Sequence, residues 1–294
     1  MSSNITGILC CYNSESFIEK TLDSILNQTV PLECLVIVND FSTDSTEIEL
    51  EKYLTSQKRS IPNIKIIKNP CNMGISMSYN IGLKACESRY SLLLSHDDIN
   101  APHRVAATAE AFSQGASIVC SYMNVSDNST EIQPPENPEK LALTLGLVNK
   151  IPAPSVGFDV QAMKMRNLYF NPQCDYAEDY DLWCQCILKG LKFFVIPDAL
   201  VSYTRHDRQV SKNKIEELKC VAEKVRINYL RSLFPFQLEA QSETLLKIVF
   251  LEPHLISSID PGFIDYLCKA MDAVPAHPSI RSVYDELKLV LTGR

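Results

Sequence analysis

A chain of 294 residues, 46% hydrophobic and 21% charged, has the composition of an ordinary folded protein of one or two domains. Its formal net charge of −7 argues against nucleic-acid binding as the main activity. No apolar run approaches the roughly 18 residues of a membrane-spanning helix. The N-terminus lacks the basic region and apolar core of a secretory signal. Eleven cysteines, most inside apolar runs, read as reduced thiols of a cytoplasmic protein rather than a disulfide framework. No Cys-x-x-Cys pair occurs, so a zinc ribbon is not expected.

Ile5 to Cys11 predicts a buried strand. Asn13 or Ser14 is placed to cap a helix whose Phe17, Ile18, Leu22, Ile25 and Leu26 share one face. Glu33 to Val38 predicts a second strand ending at Asn39-Asp40. Ser42 to Thr46 then opens a polar helix with Asp44 and Glu47 at capping-box spacing. Ile64 to Ile67 is a third strand, followed by Asn72-Met-Gly74 and a helix carrying Met77, Ile81 and Ala85. Tyr90-Ser-Leu-Leu-Leu-Ser-His-Asp-Asp98 reads as a strand buried on both faces that leaves the sheet in polar groups. Ligands of open α/β sheets gather at such strand ends. Asp97 and Asp98 are hard oxygen ligands suited to Mg²⁺ or Mn²⁺ on phosphate oxygens; the plainer role is a helix cap by Asp98 or Asn100. A helix near Pro102 to Phe112 and a strand at Ser117 to Tyr122 follow. Strands alternating with helices of 10 to 15 residues imply an α/β fold with a mostly parallel sheet.

No Gly-x-Gly-x-x-Gly follows the first strand and no Walker A sequence occurs. With only 9 glycines, phosphates would be neutralised by a metal or by side chains. Asp127 to Pro138 is polar and proline-rich, a loop or lid. In Asn171 to Trp183, Glu178, Asp179 and Asp181 crowd one helix start, where the helix dipole favours anions whatever their function. Trp183 is most simply a core residue; stacking on a sugar is its functional alternative. Phe193 to Ile196 and Ala199 to Tyr203 are further strands, leading into Thr204-Arg-His-Asp-Arg-Gln-Val-Ser211. Beyond Lys212, helical periodicity runs through 215–233, 238–251, 262–271 and 279–291, a helical C-terminal region. Residues 207–231 carry seven Lys/Arg against four Asp/Glu. A solvated helix face with its aromatics packed on the first domain is expected there; docking on an anionic membrane surface is the alternative.

In order along the chain, these pieces resemble the family 2 glycosyltransferases, inverting enzymes of the GT-A fold. Cys10 to Glu15 with Leu22 to Thr29 resembles the family's opening, and Val36 to Asp44 its second signature. Asn72-Met-Gly74 with Tyr79-Asn80 resembles the third, and Ser95-His-Asp-Asp98 the Asp-x-Asp metal motif. Glu178-Asp-Tyr-Asp-Leu-Trp183 resembles the segment supplying the catalytic base, and Tyr203 to Ser211 the closing Tyr…His…Ser segment. The resemblance covers residues 5–211, giving a catalytic domain at 1–211 and a helical region at 212–294. It implies Asp179 as general base and Asp97 as metal ligand with His206. It further implies donor contacts from Tyr12, Glu15, Asp40, Asn80 and His96, with Glu178, Trp183 and Arg205 around the sugar or acceptor. The implied cofactor is Mn²⁺ or Mg²⁺. The partners would be a nucleotide-sugar, most simply a UDP-sugar, and a glycan or lipid-linked acceptor at the cytoplasmic face of a membrane. Three positions depart from the pattern: Asn39 and Ser95 stand where the family has aspartates, and Thr204 where it often has arginine. The first two prompt the alternative of a nucleotide-sugar-binding module that has lost catalysis.

Overall fold

The computed structural model describes residues 3–56, 63–125, 131–206, 214–234, 259–273 and 278–292. Strands β1 (Ile5–Cys11), β2 (Cys34–Asn39), β3 (Asn63–Lys68) and β4 (Tyr90–Ser95) form a parallel ladder in the order β3-β2-β1-β4. Helices α1 (Ile18–Leu26), α2 (Thr46–Ser56) and α3 (Ile75–Ala85) make the crossovers. Every residue of β1 and β2 is buried, as a sheet covered on both faces requires. Alternate residues divide between two cores. Leu9, Leu35, Ile37, Leu92 and Leu94 pack with α1, α2 and α4 (Arg104–Ser113), whereas Ile8, Val36, Val38 and Leu93 join the larger core on the other face.

The sheet is mostly parallel, as expected, with short antiparallel strands that make it mixed. β8 (Gly157–Asp159) inserts antiparallel between β4 and β6 (Ile118–Val125). Beyond it β6 pairs in parallel with β9 (Phe193–Tyr203), and β5 (Ile99–Asn100) and β7 (Glu131–Ile132) add short antiparallel edges. The two strands expected at 193–203 are one, because the ladder with β6 slips past Pro197 and Asp198 instead of ending there. The lid expected from Asp127 onward lies partly outside the described residues and otherwise contains β7.

Helix α3 buries Ser76, Ser78, Tyr79, Gly82 and Leu83, and Ile81 and Ala85 pack half-buried against the same core. Gly82 sets the approach: a Cβ there would fall 2.3 Å from Ile8 Cγ2, so only glycine lets this helix lie so close to β1. The expected caps also move. Neither Asn13 nor Ser14 caps α1 through its side chain, and α4 begins after His103, so neither Asp98 nor Asn100 caps it.

Helices α5 (Pro138–Leu145), α6 (Val160–Met165) and α7 (Glu178–Leu188) complete the first 206 residues. The helical C-terminal region supplies α8 (Ile215–Leu233), α9 (Pro261–Ala273) and α10 (Pro278–Thr292). The helix expected at 238–251 lies outside the described residues. Tyr229, Leu230, Leu233, Phe234, Tyr284 and Leu287 are buried in the same apolar cluster as Leu141, Leu145, Tyr180 and Trp183. Tyr229, Phe234 and Tyr284 therefore pack on the sheet domain.

Candidate active site

The carboxyl ends of β1, β2 and β4 meet along one edge of the sheet, and hydrogen bonds lace their loops together. Asn13, in the left-handed region at φ 49°, receives the Thr43 amide on its side-chain oxygen at 2.9 Å. The Ser14 amide donates to Thr46 Oγ1 at 2.6 Å. The two loops exchange bonds: the Glu15 amide donates to Asp44 Oδ2 at 3.2 Å, and the Ser45 amide to Glu15 Oε2 at 3.0 Å. Glu15 thus holds the two loops together. Tyr12 projects from the end of β1 and is 42% exposed.

Asp40 is buried behind this rim. Its Oδ1 accepts from Asn69 Nδ2 at 2.7 Å and the Met73 amide at 2.8 Å, and its Oδ2 from the Gly74 amide at 2.9 Å. The carboxylate therefore shapes the 72–74 turn, where Gly74 takes φ 83°. Across that turn stands Asp175: a Cβ on Gly74 would lie 3.0 Å from its Oδ2, and Ser76 Oγ donates to its Oδ1 at 2.6 Å. One chain of contacts joins the end of β2 to the segment preceding α7.

The β4 loop gathers the remaining charge. The Ser95 hydroxyl donates to Asp97 Oδ1, and Asp97 Oδ2 lies 2.9 Å from His206 Nε2. Phe17 stacks on the His206 ring at 4.4 Å. Thr21 Oγ1 donates to the His96 and Asp98 carbonyls at 3.0 and 3.1 Å, fixing the loop from beneath. Burial alone would raise the Asp97 carboxyl, yet His96, Ser95 and His206 together hold it below the usual carboxylate range. Burial lowers His96, so the bonds from Ser95 and His206 are what secure that charge. Asp98 is pushed the other way, up to about 7, by burial and by Asp97. Its Oδ1 accepts from the Thr204 amide at 3.1 Å, while its buried Oδ2 has no hydrogen-bond partner. Asp98 is a tie to the end of β9 rather than a helix cap.

The second acidic group opens α7. Glu178 is raised by burial and then by the charge of Asp179, and its buried Oε2 has no partner. Asp179 is raised by burial, against the Tyr180 amide at 2.6 Å and Asn149 Nδ2 at 3.0 Å. The two acidic groups share a neighbourhood. The buried phenol of Tyr79 is raised by burial first, then by Cys10, Glu178, Asp97 and Asp98.

Two expected site residues belong elsewhere. Trp183 is wholly buried, its Nε1 bonded to the Ile151 carbonyl at 3.1 Å and its ring 5.7 Å from Phe158. It packs the core and does not reach a sugar. Asn80 clamps the backbone of Phe170, donating to its carbonyl at 2.8 Å and accepting its amide at 2.9 Å. Both ends of that amide are committed to holding the chain that leads to Asp175. Arg205 is exposed just after β9. Missed by sequence reasoning were Asn69, Asp175 and Asn149, polar residues in loops without periodicity, and Arg104, a buried guanidinium on the Leu93 carbonyl at 3.0 Å.

A nine-stranded sheet with acidic groups at its parallel strand ends and at the start of α7 defines a nucleotide-sugar transferase fold of the GT-A class. S. aureus TarS residues 1–349, in complex with UDP-GlcNAc, shares this fold at a TM-score of 0.65 and 20% identity, covering 98% of this chain and 90% of that one. Residues 6–171 match the model of glycosyl transferase family 2, and the chain belongs to that family. Its relatives include an uncharacterized glycosyltransferase of Haemophilus influenzae, 28% identical over 76% of this chain and 72% of that protein. Another is Escherichia coli WfaP, a UDP-Glc:alpha-D-GlcNAc-diphosphoundecaprenol beta-1,3-glucosyltransferase. It is 29% identical over 73% of this chain and 82% of its own length. The protein is a glycosyltransferase.

Proposed function

We propose that the protein transfers a sugar, with inversion, from a UDP-sugar to a hydroxyl of a glycan or lipid-linked acceptor, with Asp179 as general base. The observation that carries this reading is the pair of differently built acidic groups: Asp97 is tied to Ser95 and His206 and held low, while Glu178 and Asp179 are buried at the start of α7 and raised. Neighbouring acids with separated proton affinities mark divided roles. The low one stays charged and suits a cation; the raised ones suit proton uptake near neutrality.

The donor set fits a divalent metal. Asp97 Oδ2 and His206 Nε2 stand 2.9 Å apart, about the spacing of adjacent ligands on an octahedral ion with bonds of about 2.1 Å. Among the described residues no group of three or more His, Cys, Asp or Glu could hold a metal. Two protein ligands with phosphate and water completing the shell is the usual magnesium arrangement at diphosphates. Such an ion, when bound, stabilises negative charge on the departing diphosphate. Asp97 and His206 would hold it, and Ser95 aims Asp97.

In the transfer itself, Asp179 takes the proton of the acceptor hydroxyl while its oxygen bonds to the anomeric carbon. The bond from that carbon to the diphosphate oxygen breaks, and UDP leaves with the electron pair. Attack opposite the leaving group inverts the centre. Tyr12 and the laced β1 and β2 loops form the nucleotide side, with Asp40 acting through the 72–74 turn. A lipid-linked acceptor is supported by the likeness to WfaP, a glucosyltransferase acting on a diphosphoundecaprenol-linked sugar.

Incubating the protein with UDP-glucose or UDP-GlcNAc and Mn²⁺, and following UDP and the released sugar by NMR, tests the reading. An α-linked donor should give the β-anomer first, and Asp97→Ala should remove the metal dependence of UDP binding. Release of the α-anomer first would exclude inversion. Donor binding with neither transfer nor hydrolysis would instead support the catalytically impaired binding module.

A further inference from the structure

The start of α7 is strapped by residues 146–151, which lead from the end of α5 toward β8. The strap is tied at both ends from α7: the Tyr180 hydroxyl donates to the Leu145 carbonyl, and Trp183 Nε1 to the Ile151 carbonyl at 3.1 Å. Behind it, the Tyr229 hydroxyl of α8 donates to the Ala142 carbonyl of α5 at 2.9 Å. Between the ties, Val148 and Lys150 are exposed while Asn149 is half-buried. Its Oδ1 accepts from the Ile151 amide at 3.0 Å, and its Nδ2 donates to Asp179 Oδ2 at 3.0 Å. The first bond decides the second. With its oxygen committed to an N–H, the amide presents N–H groups to the carboxylate; flipped, it would set oxygen against oxygen.

We propose that Asn149 is a positioning residue of the transfer, holding the Asp179 carboxylate in the orientation from which it takes the acceptor proton. The inference rests on Asp179 as base. The Tyr180 amide fixes Oδ1 at 2.6 Å and Asn149 fixes Oδ2, so the carboxylate has one setting. A base oriented by a third group is a recurring catalytic arrangement. The bond also favours the ionised form, opposing the burial that raises Asp179. The titratable neighbours are Glu178 and Cys184 on α7, whereas Asn149 brings a fixed dipole from the strap.

Two variants separate the donor from the support. Asn149→Asp keeps an oxygen for the Ile151 amide but replaces the N–H with a second carboxylate; Asn149→Ala removes both bonds. The Asp179 carboxyl is titrated in each full-length chain as the infrared difference against the same chain carrying Asp179→Asn. Its midpoint should rise by about one pH unit in Asn149→Ala and further in Asn149→Asp. UDP release from UDP-glucose or UDP-GlcNAc should show kcat down about tenfold with donor KM within about twofold. A melting midpoint near that of the unchanged protein shows that Asn149→Asp is folded. An unmoved titration in both variants would overturn the inference while leaving Asp179 as base. Full turnover in Asp179→Asn would remove the base, and the inference with it.

Discussion

Asp98 is a carboxyl that the fold keeps against its own charge. The unfolded chain ionises it near pH 4, as carboxyls ordinarily do. In the folded protein burial and Asp97 push it up to about 7. Between those values the native state holds a proton that the unfolded state has lost. Its contribution to stability is complete below about pH 4 and falls away as pH rises through about 7. Asp98→Asn keeps the acceptor for the Thr204 amide and removes the charge. In metal-free buffer the variant should be more stable than the parent by up to about 4 kcal/mol at pH 8, converging with it at pH 4. Denaturant melts across that range read the difference; equal pH slopes would contradict it. Acidic residues at strand ends are legible as candidates because ligands collect there, and Asp97 and Asp98 are candidates on that ground. Their division of labour was not legible. Whether a carboxyl is tied by His206, like Asp97, or tied to β9 on one oxygen and left bare on the other, like Asp98, depends on residues more than 100 positions away.

Helices and strands were readable where burial imposes a period. β1, β2 and β4 are apolar runs because both sheet faces are covered. β8 was not readable, since three residues carry no period, and it is β8 that turns the sheet from parallel to mixed. The close approach of α3 to the sheet was not readable for a related reason. A glycine contributes nothing to an apolar face, yet Gly82 is the point of closest approach to Ile8. Gly82→Ala would force that contact apart and should destabilise by about 1–3 kcal/mol. Because α3 also carries Ser76 against Asp175, the same variant should weaken UDP binding, read by calorimetry at a temperature where it remains folded. Unchanged stability would show that the helix shifts freely.

Across the whole molecule, the C-terminal helices are part of the scaffold behind the acidic start of α7. Tyr284 donates to the Leu233 carbonyl, and Leu287 is wholly buried in the cluster that contains Tyr180 and Trp183. Leu287→Ala should cost about 2–5 kcal/mol in unfolding experiments. If the strap is braced from here, turnover should fall more than donor affinity at temperatures below melting. Periodicity revealed these helices; only tertiary contact shows what they brace. Among the described residues no helix is long and apolar enough to cross a membrane.

In the proposed reaction the acids at the two ends of this site have separate duties, Asp97 toward the diphosphate and Asp179 toward the acceptor. The most direct measurement is Asp179→Asn, assayed for UDP-sugar affinity by calorimetry and for UDP release in the same preparation. Donor affinity should stay within about twofold while UDP release falls by about 10²–10⁴. Near-normal release from that variant would contradict the account.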